Sequence, residues 1–143
     1  MMLSYDPTML QPMRDELVRL GFAELKTRAE VDTALAASPE PVLLVVNSVC
    51  GCAAGSARPG VARALQGALK PARLVTVFAG QDREATAHAR SYIKGFAPSS
   101  PAMALLKDGA VVFMLERHQI EGRTAEAIGQ TLSDAFAKHL SAD

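Results

Sequence analysis

Cys50 and Cys52 are the two thiols of this 143-residue chain, and one residue, Gly51, separates them. A thiolate attacks a disulfide sulfur or ligates a soft metal, and a pair at this spacing is suited to either task. A bridge between them would close too small a loop to remove much unfolded-state entropy, so a structural staple is a poor use of the pair. The thiols follow the aliphatic run Val42 to Val46 and precede an Ala-rich stretch in which Val61, Leu65 and Leu69 fall four apart. That pattern predicts a strand covered on both faces, a tight junction, and a helix starting at the cysteines and running to Leu69, kinked at Pro59. At a helix N-terminus free N–H groups and the dipole favour negative charge, which makes Cys50 the candidate nucleophile. Cys52 is close enough to attack a mixed disulfide on Cys50 and is the candidate resolving thiol, with Gly51 giving the backbone freedom to bring the sulfurs together. With one intervening residue an internal bridge is more strained than in Cys-x-x-Cys, and strain raises the reduction potential; the expectation is a weak reductant suited to exchange or isomerisation.

The rest of the chain must position this pair. Leu10, Met13, Leu17 and Leu20 recur at helical spacing before Gly21, predicting a helix from Pro7 to Leu20. A short strand is expected over Phe22 to Lys26, then a helix opened by the capping box Thr27 and Glu30 and closed before Pro39. Leu74 to Phe78 reads as a second buried strand, with Asp82 capping a helix to about Lys94. Ala102 to Lys107 and Ala110 to Glu116 flank Asp108-Gly109, a strong hairpin signal, and Thr124 caps a last helix carrying Ile128, Leu132, Phe136 and Leu140. Parallel units followed by an antiparallel hairpin indicate an α/β protein, a mixed sheet with helices on both faces, in one domain over 1–143.

Composition narrows the function. Hydrophobic residues make up 49% and charged residues 21%, the balance of a folded domain. Fifteen Lys and Arg against fifteen Asp and Glu leave no field to attract nucleic acid or an anionic membrane. The opening Met1 to Pro7 has neither a basic region nor an apolar run, and no stretch approaches the length of a membrane span, so a soluble cytoplasmic protein is expected.

Other uses of the two thiols compete with exchange chemistry. Two ordinary buried cysteines would explain the residue type but not its position at a strand-to-helix junction. A closed zinc site takes four ligands, and His88, His118 and His139 are scattered without ligand spacing, so no metal site is assigned. A soft-metal carrier or a redox sensor using the same two thiols remains the alternative. Arg58 reads as part of a solvated helix face. The segment Ala97 to Pro101 enters a strand through a proline that is a candidate for a cis bond.

Val45-Val46-Asn47-Ser48-Val49-Cys50-Gly51-Cys52-Ala53-Ala54-Gly55, followed by Ala57-Arg58-Pro59, resembles the bacilliredoxin family. Val77 to Asp82, Pro98 to Pro101, Leu105 to Gly109, Glu116 to His118 and Ile120 to Arg123 match it in the same order, so the likeness spans nearly the whole chain. The resemblance implies a thioredoxin-like three-layer α/β/α fold with an N-terminal helical extension, in which a cis proline faces the active cysteine. The matching proline is Pro101, after Ser100, and both are supporting site residues by that resemblance. The implied activity is removal of bacillithiol from protein mixed disulfides: Cys50 takes over the small thiol, and free bacillithiol or Cys52 restores it. Disulfide isomerisation is also implied for some members. No tightly bound cofactor follows, only bacillithiol as thiol co-substrate; the partners are protein mixed disulfides, and the oligomeric state is left open.

Overall fold

The computed structural model describes residues 6–36 and 39–140; the opening five residues, read above for charge and hydropathy, lie outside that range. Strands β1 (Ala23–Glu24), β2 (Val42–Asn47), β3 (Arg73–Phe78), β4 (Ala102–Lys107) and β5 (Ala110–Leu115) form a sheet in the order β1-β3-β2-β4-β5. β3 runs parallel to β1 and β2, whereas β4 runs antiparallel to β2 and β5. The mixed sheet expected from the strand pattern is therefore present. Asp108 and Gly109 both take positive φ, 53° and 77°, as a two-residue hairpin turn requires.

Helices α1 (Pro7–Val18), α2 (Arg28–Leu35), α3 (Arg58–Ala64), α4 (Arg83–Arg90), α5 (Arg117–Ile120) and α6 (Ala125–Leu140) complete the chain. Leu43 and Val45 face a core made with Leu17, Val61, Ile128, Leu132 and Phe136, from α1, α3 and α6. Val42, Leu44 and Val46 face the other core with Val31 and Leu35 of α2 and Ala85 and Ala89 of α4. The two cores explain why β2 lacks polar alternation: each neighbouring side chain enters a different apolar layer.

Several elements differ from the expectations: the first helix ends at Val18 rather than Leu20, and the first strand covers only Ala23–Glu24. The helix after the cysteines ends at Ala64 rather than Leu69; Gln66 and Gly67 bond back to Arg63 and Ala64, tightening the last turn, and Leu69 is left 41% exposed. The irregularity expected at Pro59 lies before it, as a π-helical turn over Ala53–Ala57 in which the Arg58 N–H reaches the Ala53 carbonyl. Proline has no N–H and its ring crowds the carbonyl four residues back, so a widened turn accommodates it. The helix opened by Asp82 ends at Arg90, and the Asp82 side chain makes no capping bond. Its carboxylate instead accepts from Arg14 Nη1 and Nη2 at 2.8 and 3.2 Å, an ion pair that outcompetes the cap.

α3 and α6 meet at a close approach. A Cβ on Gly60 would lie 2.5 Å from Ile128 Cγ2 and 2.7 Å from its Cβ, and one on Gly129 would lie 2.9 Å from Arg63 Cβ. The glycines let the helix that follows the thiols press against α6.

Candidate active site

β2 ends at Asn47, buried beneath the thiols, and its amide organises the turn into Cys50. Asn47 Nδ2 donates to the Met13 carbonyl of α1 at 3.2 Å, while Oδ1 accepts from the Ser48 N–H and from Arg58 Nη1, both at 2.9 Å. Arg58 Nη1 also donates to the Ser48 carbonyl at 2.9 Å, and Nε to Glu16 Oε1 of α1 at 2.7 Å. Arg58 is 3% exposed, so the solvated face expected for it is corrected: the guanidinium is an internal clamp. The position was readable, because Arg58 stands three and seven residues before Val61 and Leu65, on the same inward stripe.

The Ser48 hydroxyl accepts from the Cys50 N–H at 3.2 Å, and the Cys50 carbonyl accepts from the Ala53 and Ala54 N–H groups at 3.1 and 3.3 Å. Cys50 therefore opens the helix, with the backbone N–H groups of Cys52 and Ala53 acting on its thiol. Both thiols are half-buried, and their Sγ atoms are 2.8 Å apart and hydrogen-bonded. Burial pushes Cys50 upward, but hydrogen bonds from Cys52, Ser48 and the backbone N–H groups of Ala53 and Cys52 outweigh it and hold the thiol below its ordinary value. Burial, the bond to Cys50 and the charge of Cys50 push Cys52 the other way. The opposite directions make Cys50 the thiol of the pair that ionises first.

The Ser100–Pro101 peptide is cis. Val46 lies opposite Ala102, and the same register carried one step further puts Pro101 opposite Asn47, at the sheet edge that bears the cysteines. Two arginines hold the approach to this proline. Arg90 Nη2 donates to the Ser99 carbonyl at 3.2 Å; Arg117 Nη1 donates to the Ser100 carbonyl at 3.0 Å, and the Arg117 N–H to Ser99 Oγ at 3.3 Å. The charges of Cys50 and Cys52, and then of Glu121, raise the Arg117 pKa, and Arg117 in turn favours the Cys52 thiolate. Arg117 was not singled out from the sequence, although Glu116 and Gln119 have the capping-box spacing that starts its helix, and the box is formed.

Cys50, Gly51 and Cys52 thus lie on one turn, with Ser100 and Pro101 at the adjoining strand entry. Gly51 itself is exposed, its φ lies outside the left-handed region, and a Cβ there would meet nothing within 4 Å, so the present geometry does not need the freedom expected of it. Among the described residues no group of three or more His, Cys, Asp or Glu could hold a metal ion. His88 is engaged with Asp32 of α2 at 2.7 Å, and His118 is exposed on α5.

A lowered thiol opening a helix, a second thiol beside it and a cis proline at the adjacent strand define the class: a thioredoxin-like site for thiol–disulfide exchange. The fold agrees. The chain superposes on a Malassezia sympodialis thioredoxin with a TM-score of 0.55 at 12% identity, covering 84% of this chain and 91% of that one. It superposes on Arabidopsis thaliana thioredoxin O2 in the oxidized state at 0.54 and 16% identity, covering 82% and 96%. The family model described as disulphide isomerase matches residues 5–140. A bacilliredoxin of Bacillus licheniformis is 52% identical, covering 97% of this chain and 99% of the relative, and one of Koribacter versatilis is 50% identical, covering 96% and 95%. The chain belongs to the bacilliredoxin family of thioredoxin-like thiol–disulfide oxidoreductases. Among the described residues no helix is long and apolar enough to cross a membrane.

Proposed function

We propose that this chain removes bacillithiol, or a similar low-molecular-weight thiol, from cytoplasmic proteins that carry it as a mixed disulfide. The observation that carries the reading is the 2.8 Å sulfur pair whose members are pushed in opposite directions, Cys50 toward the thiolate and Cys52 toward the thiol. The Cys50 thiolate attacks the small-thiol sulfur; a Cys50–small-thiol disulfide forms, the bond to the client sulfur breaks, and the client leaves as a thiolate that takes a proton from water. A second small thiol then attacks that adduct as its thiolate, forming the symmetrical small-thiol disulfide and returning Cys50. In the other route Cys52 loses its proton and attacks Cys50 Sγ, expelling the small thiol and leaving a Cys50–Cys52 disulfide that a dithiol reductant must reduce with two electrons.

Ser100 and Pro101 border the pair as the shelf for the bound disulfide, and Arg117 steadies the negative charge that moves between the sulfurs. Bacillithiol acts as co-substrate, with no tightly bound cofactor. The same first step on a non-native protein disulfide, followed by attack from another client thiol, gives isomerisation. The names of the relatives support the bacillithiol reading.

The test uses a reporter protein loaded with a bacillithiol mixed disulfide, compared across the native chain, Cys50→Ala and Cys52→Ala. Release is expected to vanish with Cys50→Ala, and an adduct on Cys50 to accumulate with Cys52→Ala when no free small thiol is present. Native release no faster than that of Cys50→Ala would overturn the proposal and bring forward the metal-binding or redox-sensing use of the pair.

A further inference from the structure

We infer that a cleft beside the cysteine turn, walled by Arg83 and Arg90, binds carboxylate groups of the small thiol carried in the mixed disulfide; this rests on the exchange reaction proposed above. The cleft has a volume of about 370 Å³ and is lined by Ala79 and Gly80 after β3, Arg83, Thr86 and Arg90 on α4, and Ser100. That volume falls in the ~300–1,000 Å³ range of small-molecule sites. Its position ties it to the thiols from two sides. The Ala79 N–H donates to the carbonyl of Asn47, the residue that feeds the turn into Cys50, at 3.0 Å, and Ser100 directly precedes the cis proline.

Its charge is one-sided. Two guanidinium groups line the cleft and no carboxylate does. Asp82, at the start of α4, is engaged by Arg14, and Glu84 does not line the cleft. Arg83 Nε makes only a long contact with the Gly80 carbonyl, 3.4 Å. Arg90 has a neutral acceptor, the Ser99 carbonyl, for Nη2, while its buried Nε has no partner. Burial lowers the Arg90 pKa, and no acid offsets that effect. A half-buried guanidinium whose buried Nε lacks an acceptor is left under-satisfied, and a ligand carboxylate would supply both charge and acceptors in the fork geometry arginine favours. A carboxylate on a small thiol held by Cys50 would enter the cleft along Ser100, which lines it.

The test follows release from one reporter protein carrying mixed disulfides of mercaptosuccinate, 2-mercaptoethanol or cysteamine, which are anionic, neutral and cationic. The native chain is expected to favour the mercaptosuccinate adduct in kcat/KM. Charged hydrogen bonds set the scale: Arg90→Gln should lower the ratio of mercaptosuccinate to mercaptoethanol roughly tenfold, the exposed Arg83→Gln about threefold, and Arg90→Lys should keep part of the preference. A ratio unchanged in Arg83→Gln and Arg90→Gln would overturn the inference, and Arg83→Gln decides alone if Arg90→Gln does not fold. A reporter with acidic residues around its cysteine separates the other source of carboxylates: if the arginine effect follows the reporter's acids rather than the small thiol, the inference is also overturned. Failure of the native chain on all three adducts would count against the exchange reaction, whereas equal release of all three removes only the cleft.

Discussion

Replacing Arg58 by Met tests the clamp beneath the thiols. The side chain is 3% exposed and makes three hydrogen bonds, two to neutral acceptors on Asn47 and Ser48 and one to Glu16, whose side chain is 40% exposed. Breaking a fully buried ion pair costs about 3–5 kcal/mol, but Glu16 regains water and a methionine recovers the desolvation of the guanidinium, so that figure is an upper limit. Asn47 Oδ1 keeps the Ser48 N–H. The buried Ser48 carbonyl loses the Arg58 donor, at a cost of about 1–3 kcal/mol. The net expectation is a loss of about 2–3 kcal/mol, read in urea unfolding with an unchanged m-value, and a fall in Tm of roughly 6–10 °C for a chain of this size. Glu16→Gln should cost under about 1 kcal/mol, as a half-exposed ion pair does. The clamp is refuted if Arg58→Met unfolds within about 0.5 kcal/mol of the native chain, or if Glu16→Gln is equally costly. The second result would mean that the link to α1, and not the hold on the cysteine turn, carries the stabilisation.

At Gly60 two effects oppose one another. Alanine gains about 1 kcal/mol of helix propensity, but a Cβ 2.5 to 2.7 Å from fully buried Ile128 forces α3 from α6. Overpacking of about 1–3 kcal/mol should win, so Gly60→Ala is expected to lower the urea midpoint, and a raised midpoint would show that the interface yields. Alkylation by iodoacetamide should report the thiol pair directly. Because Cys50 is held below the ordinary thiol value, its thiolate is present above that lowered pKa and its reactivity falls as pH drops through it, while Cys52 reacts only at higher pH. Arg117→Met should move the Cys52 midpoint upward, more at low salt than at high salt; an unmoved midpoint would deny Arg117 its electrostatic part.

What the sequence revealed follows from how local each signal is. The thiol position, the strand over Val42 to Val46, the Thr27 and Glu30 capping box and the Asp108-Gly109 turn depend on neighbours within a few residues, and all are present. Asp82 did not act as a cap because its partner, Arg14, is distant in sequence. Leu69 has the spacing of its helix, but the core is already filled by Val61, Ala64 and Leu65, and spacing cannot show where burial ends. Arg58 was misread by residue type when its place on the inward stripe said otherwise. Arg117 and the pairing of Arg90 with Ser99 needed the fold, since each joins segments brought together only at the sheet edge.

The π-turn over Ala53–Ala57 has a consequence for aim. An α-helix advances about 100° per residue, so a turn holding one extra residue shifts the angular phase of everything before it by about that amount relative to everything after. Val61 and Ala64 meet α6 in one phase, and Cys52 leaves the helix in another. The direction in which the sulfurs point is therefore uncoupled from the direction in which the helix packs. Ser56 Oγ, donating to the Arg123 carbonyl at 2.6 Å from within the turn, pins that offset to the segment ahead of α6.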